Sequence, residues 1–149
     1  MNRLKMNEAF PESYKLLREI DTLIKKTGIP PLYLELIKLR ASQLNGCAYC
    51  LNIHSNDAIK YGEDPKRIYV LSAWREAKEW FTEEEQVILQ LTEEITQIRN
   101  HGISDEVYNK SIELFGEQKT VYLITAAINI NSWNRLGVGL NMHPVNNKS

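Results

Sequence analysis

A chain of 149 residues, 43% hydrophobic, 9% aromatic and 25% charged, has the length and balance of one compact domain with a real core. That composition excludes disorder, collagen-like repeats and a pair of full-size enzyme domains. Eighteen Lys and Arg against nineteen Asp and Glu leave a net charge of −1, so nucleic acid, which usually calls for a clustered basic surface, is not the expected partner.

Glycines and prolines punctuate the chain. Pro11 opens an amphipathic helix over 12–27, with Tyr14, Leu17, Ile20 and Ile24 on one face and Gly28 closing it. Pro30 and Pro31 start a second helix to about Leu44 that is apolar nearly all round, so it is expected to be buried. Asn45-Gly46 breaks it, and a third helix is expected from about Cys47 to Tyr61, ended by Gly62.

A short helix from Pro65 to about Trp74 follows. Thr82 with Glu85 forms a capping box for a helix to about Arg99, Ser104 caps another ending at Gly116, and the last runs from about Gln118 to Leu136. No segment alternates with a period of two between hairpin dipeptides, so the expected fold is all-α: one domain over 1–149, a bundle of six to seven helices with a loose tail or arm over 137–149. No seven-residue apolar run follows a basic start and no stretch reaches the length of a membrane span; the expectation is a cytoplasmic protein with no membrane partner.

The two cysteines are Cys47 and Cys50. In a reducing compartment this spacing points to chemistry or metal before a structural staple. On one helix, Cys47, Cys50 and His54 recur at three and four residues and project from one face. A thiol reacts as its thiolate, and here a helix N-terminus and an imidazole are both at hand to lower its pKa from about 8.5. Cys47 is nearer the helix start, whereas Cys50 has His54 at i+4, a base able to take its proton outright; this favours Cys50 as attacker and Cys47 as resolving thiol. Glu35, in a narrow polar wedge with Lys38 and Ser42 on the second helix, is the candidate group to orient His54. A carboxylate there is either paired or has its pKa raised by burial.

Other readings stand beside this one. Cys47, Cys50 and His54 with Glu35, His101 or His143 offer zinc donors, although three ligands on one helix is atypical of structural zinc. Glu35 also suits a surface pair with Lys38, and His54 suits a hydrogen-bonded core position. His101 falls at a helix terminus and His143 in the tail. Trp74, Trp80, Phe81 and Trp133 read as core or subunit interface, and Asn131, Asn134 and Arg135 as a pocket edge or an interface. No cofactor and no resident metal is expected.

The pattern Glu35-x11-Cys47-x2-Cys50-x3-His54, with the amphipathic leading helix and the late segment 126–136, resembles the AhpD-like branch of the carboxymuconolactone decarboxylase superfamily. The resemblance implies an all-helical subunit, a homo-oligomer (trimer or hexamer), and thiol-dependent reduction of hydroperoxides. By motif position Cys50 would attack, Cys47 resolve, and His54 and Glu35 relay the proton. An external dithiol, a lipoyl group on a partner protein among the candidates, would restore the pair. The well-characterised peroxidases carry a His between the cysteines where this chain has Tyr49, and the lactone decarboxylases of the superfamily lack the cysteine pair. The alternative is a redox-sensing or oligomer-forming helical module with a reversible Cys47–Cys50 disulfide and no catalytic turnover.

Overall fold

The computed structural model describes residues 3–99 and 101–144. Among them there is no strand; the elements are α1 (Met6–Ala9), α2 (Pro11–Lys25), α3 (Pro31–Asn45), α4 (Ala48–Lys60), α5 (Pro65–Val70) running into a 3-10 segment (Leu71–Trp80), α6 (Glu83–Thr96) and α7 (Asp105–Gly139). The all-α expectation holds. No helix among the described residues is long and apolar enough to cross a membrane.

Helix α3 is central because its apolar residues serve two cores at once. On one side Leu34, Ile37 and Ala41 pack with Ile24 of α2, Ile88 and Leu91 of α6, and Leu123, Ala127 and Ile130 of α7. On the other, Leu36 and Leu39 meet Ala58 of α4, Leu71 and Trp74 of the 3-10 segment, and Leu89. Each such side chain contributes roughly 1.5–3 kcal/mol on burial, so a helix apolar nearly all round is stable only when wrapped. In this fold α3 packs against α4, α6 and α7.

Several boundaries differ from the sequence expectation for local reasons. The segment after Pro65 is α-helical only to Val70, and non-helical dihedrals at Ala73 and Ala77 turn the rest into 3-10 turns. The helix begun at Thr82 carries the expected capping box, with Glu85 N–H on Thr82 Oγ1 and Glu85 Oε2 accepting from Thr82 N–H, but it ends at Thr96, short of Arg99. The two late helices flank a break at Gly116, where φ is +76 and ψ 166. The last helix does not stop at Leu136: it continues to Gly139, and the amide of Met142 closes on Gly137 C=O. Thus 137–139 are helix, not tail, while 145–149 lie outside the described residues. Short α1 was not foreseen; it lies against α2, and Arg3 just before it donates to the carbonyl of Gly139.

Of the aromatic residues, Trp74 and Phe81 are core, as expected, whereas Trp80 is exposed. Trp74 Nε1 donates to Glu93 Oε1 at 2.8 Å, which also accepts from Arg40 Nε at 2.7 Å, while Arg75 binds Glu93 Oε2 at 2.6 Å. Burial pushes the Glu93 carboxyl up, but the hydrogen bonds from Arg75, Trp74 and Arg40 outweigh it and hold the group below its ordinary value of 4.5. A depressed folded-state pKa means the unfolded chain binds the proton more readily, so this contribution is complete above 4.5 and is lost as pH falls through the lower folded value. Glu93→Gln is therefore expected to lower stability at neutral pH by about 3 kcal/mol and to flatten the acid limb. Denaturation followed by circular dichroism from neutral to acidic pH checks both; an unchanged acid limb would remove Glu93 from the account.

Candidate active site

Gly46 caps α3 in the left-handed region at φ +66, a conformation costly for any residue with a Cβ. The chain then passes through one extended residue, Cys47, before α4 begins at Ala48. Cys47 is thus the N-cap of α4, not part of its first turn: its Sγ accepts the amide of Cys50 at 3.3 Å, and its own amide bonds Ser42 C=O at 3.0 Å. Cys47 and Cys50 are joined as a disulfide. The cap bond and the helix dipole both favour negative charge on Cys47 sulfur.

The polar wedge of α3 is buried. Glu35 is 3% exposed, and its two oxygens are used separately: Oε2 lies 2.8 Å from His54 Nδ1 and Oε1 accepts from Lys38 Nζ at 2.9 Å. Burial alone would raise the Glu35 carboxyl, but the His54 hydrogen bond, the Lys38 charge and the charge on His54 more than offset it, so its pKa falls below the ordinary value. Of the two states allowed by the sequence, paired or protonated by burial, the pair is the one found. The contact with Lys38 is not on the surface, since Lys38 is 8% exposed. With Nδ1 engaged by a carboxylate, Nε2 of His54 is the ring nitrogen available for proton exchange.

His54 and Cys50 lie one turn apart on α4 and line the same cavity, of about 860 Å³, together with Lys38 and Tyr49. Tyr14 and Trp133 form an edge-to-face pair, ring centres 5.3 Å apart, in its wall. Trp133 is therefore a wall residue of the site, and His143 also lines the cavity. Cys47, 1% exposed, does not reach it. His101 sits away from these residues in the turn before α7, at φ +71. The zinc set read from the sequence does not assemble, because the two sulfurs are bonded to each other. The cluster of possible donors among the described residues is instead Glu35, His54 and Asp57, within 4.8 Å, and Lys38 already brings a cation to Glu35.

Two features escaped the sequence reading. Gly137, on the extension of α7, lies so close to the sulfurs that a Cβ there would be 2.8 Å from Cys47 Sγ and 3.5 Å from Cys50 Sγ. Only its place just past the late apolar run hinted at this. The second is the use made of Asn131 and Asn134. They form neither a pocket edge nor an interface but a buried network: Asn134 Nδ2 donates to Ser42 Oγ at 2.9 Å, and Asn45 Nδ2 donates to both Asn131 Oδ1 and Asn134 Oδ1 at 2.9 Å. Arg135 Nη1 caps it on Asn131 Oδ1 at 2.9 Å. The network ties the α3–α4 corner, from which Cys47 emerges, to α7, which carries Gly137.

Residues 11–94, more than half the chain and including all four motif residues, match the carboxymuconolactone decarboxylase family. The chain belongs to that family. It is 38% identical over 138 residues to the uncharacterized protein YdfG of Bacillus subtilis (strain 168), covering 93% of each chain. It also superposes, with TM-score 0.92 and 31% identity over 98% of this chain and 100% of the other, on a crystal structure from Agrobacterium tumefaciens of a protein of unknown function, proposed as an antioxidant defence protein AhpD. Fold and motif together place the chain on the AhpD-like branch of the superfamily.

In this AhpD-like chain the steric limit at Gly137 is open to test. Gly137→Ala is expected to favour the dithiol over the disulfide, since the separate thiols can move from the new methyl while the bonded pair is held against it. Thiol titration across glutathione redox buffers should show at least a tenfold shift of the equilibrium toward the reduced form; an unshifted midpoint would mean that α7 yields freely.

Proposed function

We propose that the protein reduces organic hydroperoxides through Cys47 and Cys50 and is restored by an external dithiol. The observation that carries this reading is that Cys50 and His54, the latter held by buried Glu35, line one cavity large enough for an organic substrate. Cys50 is the attacking sulfur because it borders the cavity, and Cys47 the resolving one because it is enclosed and capped by a helix amide.

His54 takes the Cys50 proton at Nε2, and the resulting imidazolium is stabilised through Nδ1–H by Glu35. The thiolate attacks the distal oxygen of ROOH; the O–O bond breaks, RO⁻ leaves and takes a proton from His54 as ROH, and Cys50 becomes a sulfenic acid. Cys47 thiol attacks that sulfur, forming the disulfide and releasing water. A dithiol then opens the pair by exchange at Cys50, with Cys47 leaving first as the thiolate its cap stabilises, and is itself oxidised to a disulfide. Lys38, buried with one partner and two further N–H donors, borders the same cavity and would stabilise the departing alkoxide. The reading includes a lipoyl-type dithiol as reductant.

The homo-oligomer implied by the family has apolar surface to use. Leu16 and Leu23 on α2, and Val121 and Ile128 on α7, recur at seven residues on two mutually packed helices and are all more than half exposed. Leu16→Asp with Leu23→Asp should shift the sedimentation velocity toward the monomer; an unchanged profile would place assembly elsewhere.

One equivalent of an organic hydroperoxide added to reduced protein should remove two thiols per chain and yield the alcohol, with sustained turnover when dihydrolipoamide is supplied. Cys50→Ser should abolish this, Cys47→Ser should permit one sulfenic acid and no disulfide, and His54→Gln should slow the first step by about a hundredfold. Reversible thiol oxidation without catalytic peroxide loss, across lipoyl, thioredoxin and glutathione donors, would overturn the enzyme reading in favour of a redox-sensing module.

A further inference from the structure

The cavity at Cys50 carries a charge that neither the thiol chemistry nor the composition explains. The whole chain has 18 Lys and Arg against 19 Asp and Glu. The cavity lining inverts this balance, with five of the former (Arg3, Lys5, Arg18, Lys25 and Lys38) and two of the latter. Both acids are already engaged: Asp21 accepts from Asn129 Nδ2 at 2.8 Å and Trp133 Nε1 at 2.9 Å, and Asp57 from Lys60 at 3.1 Å. Lys5 is paired with Glu8 and Lys38 with Glu35. Arg3, which donates to the Gly139 carbonyl, and Arg18 and Lys25 have no ion-pair partner among the described residues, although Asp21 lies between the last two on the same helix.

Their placement gives the cavity a direction. Tyr14, Arg18, Asp21 and Lys25 follow one another at three- and four-residue steps, so they form one stripe of α2 along the cavity, with Tyr14 and Asp21 half-buried and Arg18 and Lys25 exposed at its rim. That stripe is tied to α7, since Tyr14 stacks edge-on against Trp133 and Asp21 hydrogen-bonds Trp133 and Asn129. Along α7, Gly137 at the sulfurs is followed one turn back by Trp133 and a further turn back by Asn129. Along α2 the same order reads Tyr14, Arg18, Lys25, with the cations about 6 Å and about 16 Å along the axis from Tyr14. An apolar and aromatic wall therefore separates the reacting sulfur from two unpaired cations.

We infer that the cavity takes an amphipathic organic anion, a carboxylate on an apolar chain. Its head is held by Arg18 and Lys25, its chain lies against Tyr14, Trp133 and Leu136, and its far end reaches Cys50. That the far end bears a hydroperoxide rests on the proposed function; recognition of the anion does not. A carboxylate accepting charge-assisted hydrogen bonds from both cations gains over a neutral head of the same chain by tenfold or more in affinity.

The test is calorimetric titration of the full-length oxidised protein with octanoate and with octan-1-ol. Octanoate should bind at least tenfold tighter, added salt should narrow the gap, and Arg18→Gln with Lys25→Gln should close it while octanol affinity persists as the sign of an intact cavity. Equal affinity for the two ligands, survival of the gap in the double variant, or displacement of octanoate by inorganic phosphate at the same concentration would each overturn the proposal. No thiol chemistry enters these titrations, so octanoate binding in a protein that consumes no hydroperoxide would leave the anion site standing and remove the peroxidase. With both intact, a carboxylate-bearing hydroperoxide should show a kcat/KM at least tenfold above that of its methyl ester.

Discussion

Glu35 is an ionised carboxylate buried on the helix that forms the centre of both cores, and the site is organised around its compensation. A charge so enclosed is tolerated only when hydrogen-bonded and paired. His54 and Lys38 each take one oxygen, and this division sets the ring's tautomer and points its other nitrogen to proton exchange. Because α3 is wrapped on every side, Glu35 cannot move to solvent, and the imidazole it holds cannot drift from the α4 face that also carries Cys50. The burial that makes the carboxylate expensive is what makes it a precise support.

The second constraint is the approach of α7. At Gly137 the helix backbone comes within van der Waals reach of the sulfurs, and the asparagine network one turn earlier hydrogen-bonds it to the α3–α4 corner. The pair is thereby asymmetric: Cys47 is covered by α7 and capped by an amide, and Cys50 borders the cavity. In thiol exchange that asymmetry matters, because the sulfur an incoming group can reach and the sulfur that leaves best as a thiolate are different atoms.

Electrostatics divides the molecule in a similar way. Glu93 gathers Arg40, Arg75 and Trp74 into a structural cluster in which both cations are paired with the one carboxylate. The cavity side keeps a surplus of cations, with Arg18 and Lys25 among those that have no ion-pair partner among the described residues. A protein with almost no net charge thus presents a positive field at one opening, and clefts focus such fields.

The linear order of residues already determined the all-α class, most helix limits, the capping box at Thr82 and Glu85, and the grouping of Cys47, Cys50, His54 and Glu35. Each of these rests on local periodicity, on cap chemistry, or on motif spacing across a tight turn. Glycine was legible as punctuation at Gly46 and Gly116 because its effect there is on its own dihedrals. The same residue at 137 carries only the local signal of a helix end, since nothing local distinguishes a stop from a close approach to a partner ninety residues earlier. Asn131, Asn134, Arg135 and Trp133 are ambiguous for that reason too: whether a polar or aromatic side chain faces a core, a pocket or a neighbour depends on which helix is laid against it. Only the packing of α7 on α3 and α2 decided those roles, because burial and proximity are properties of the assembled bundle and not of any one helix.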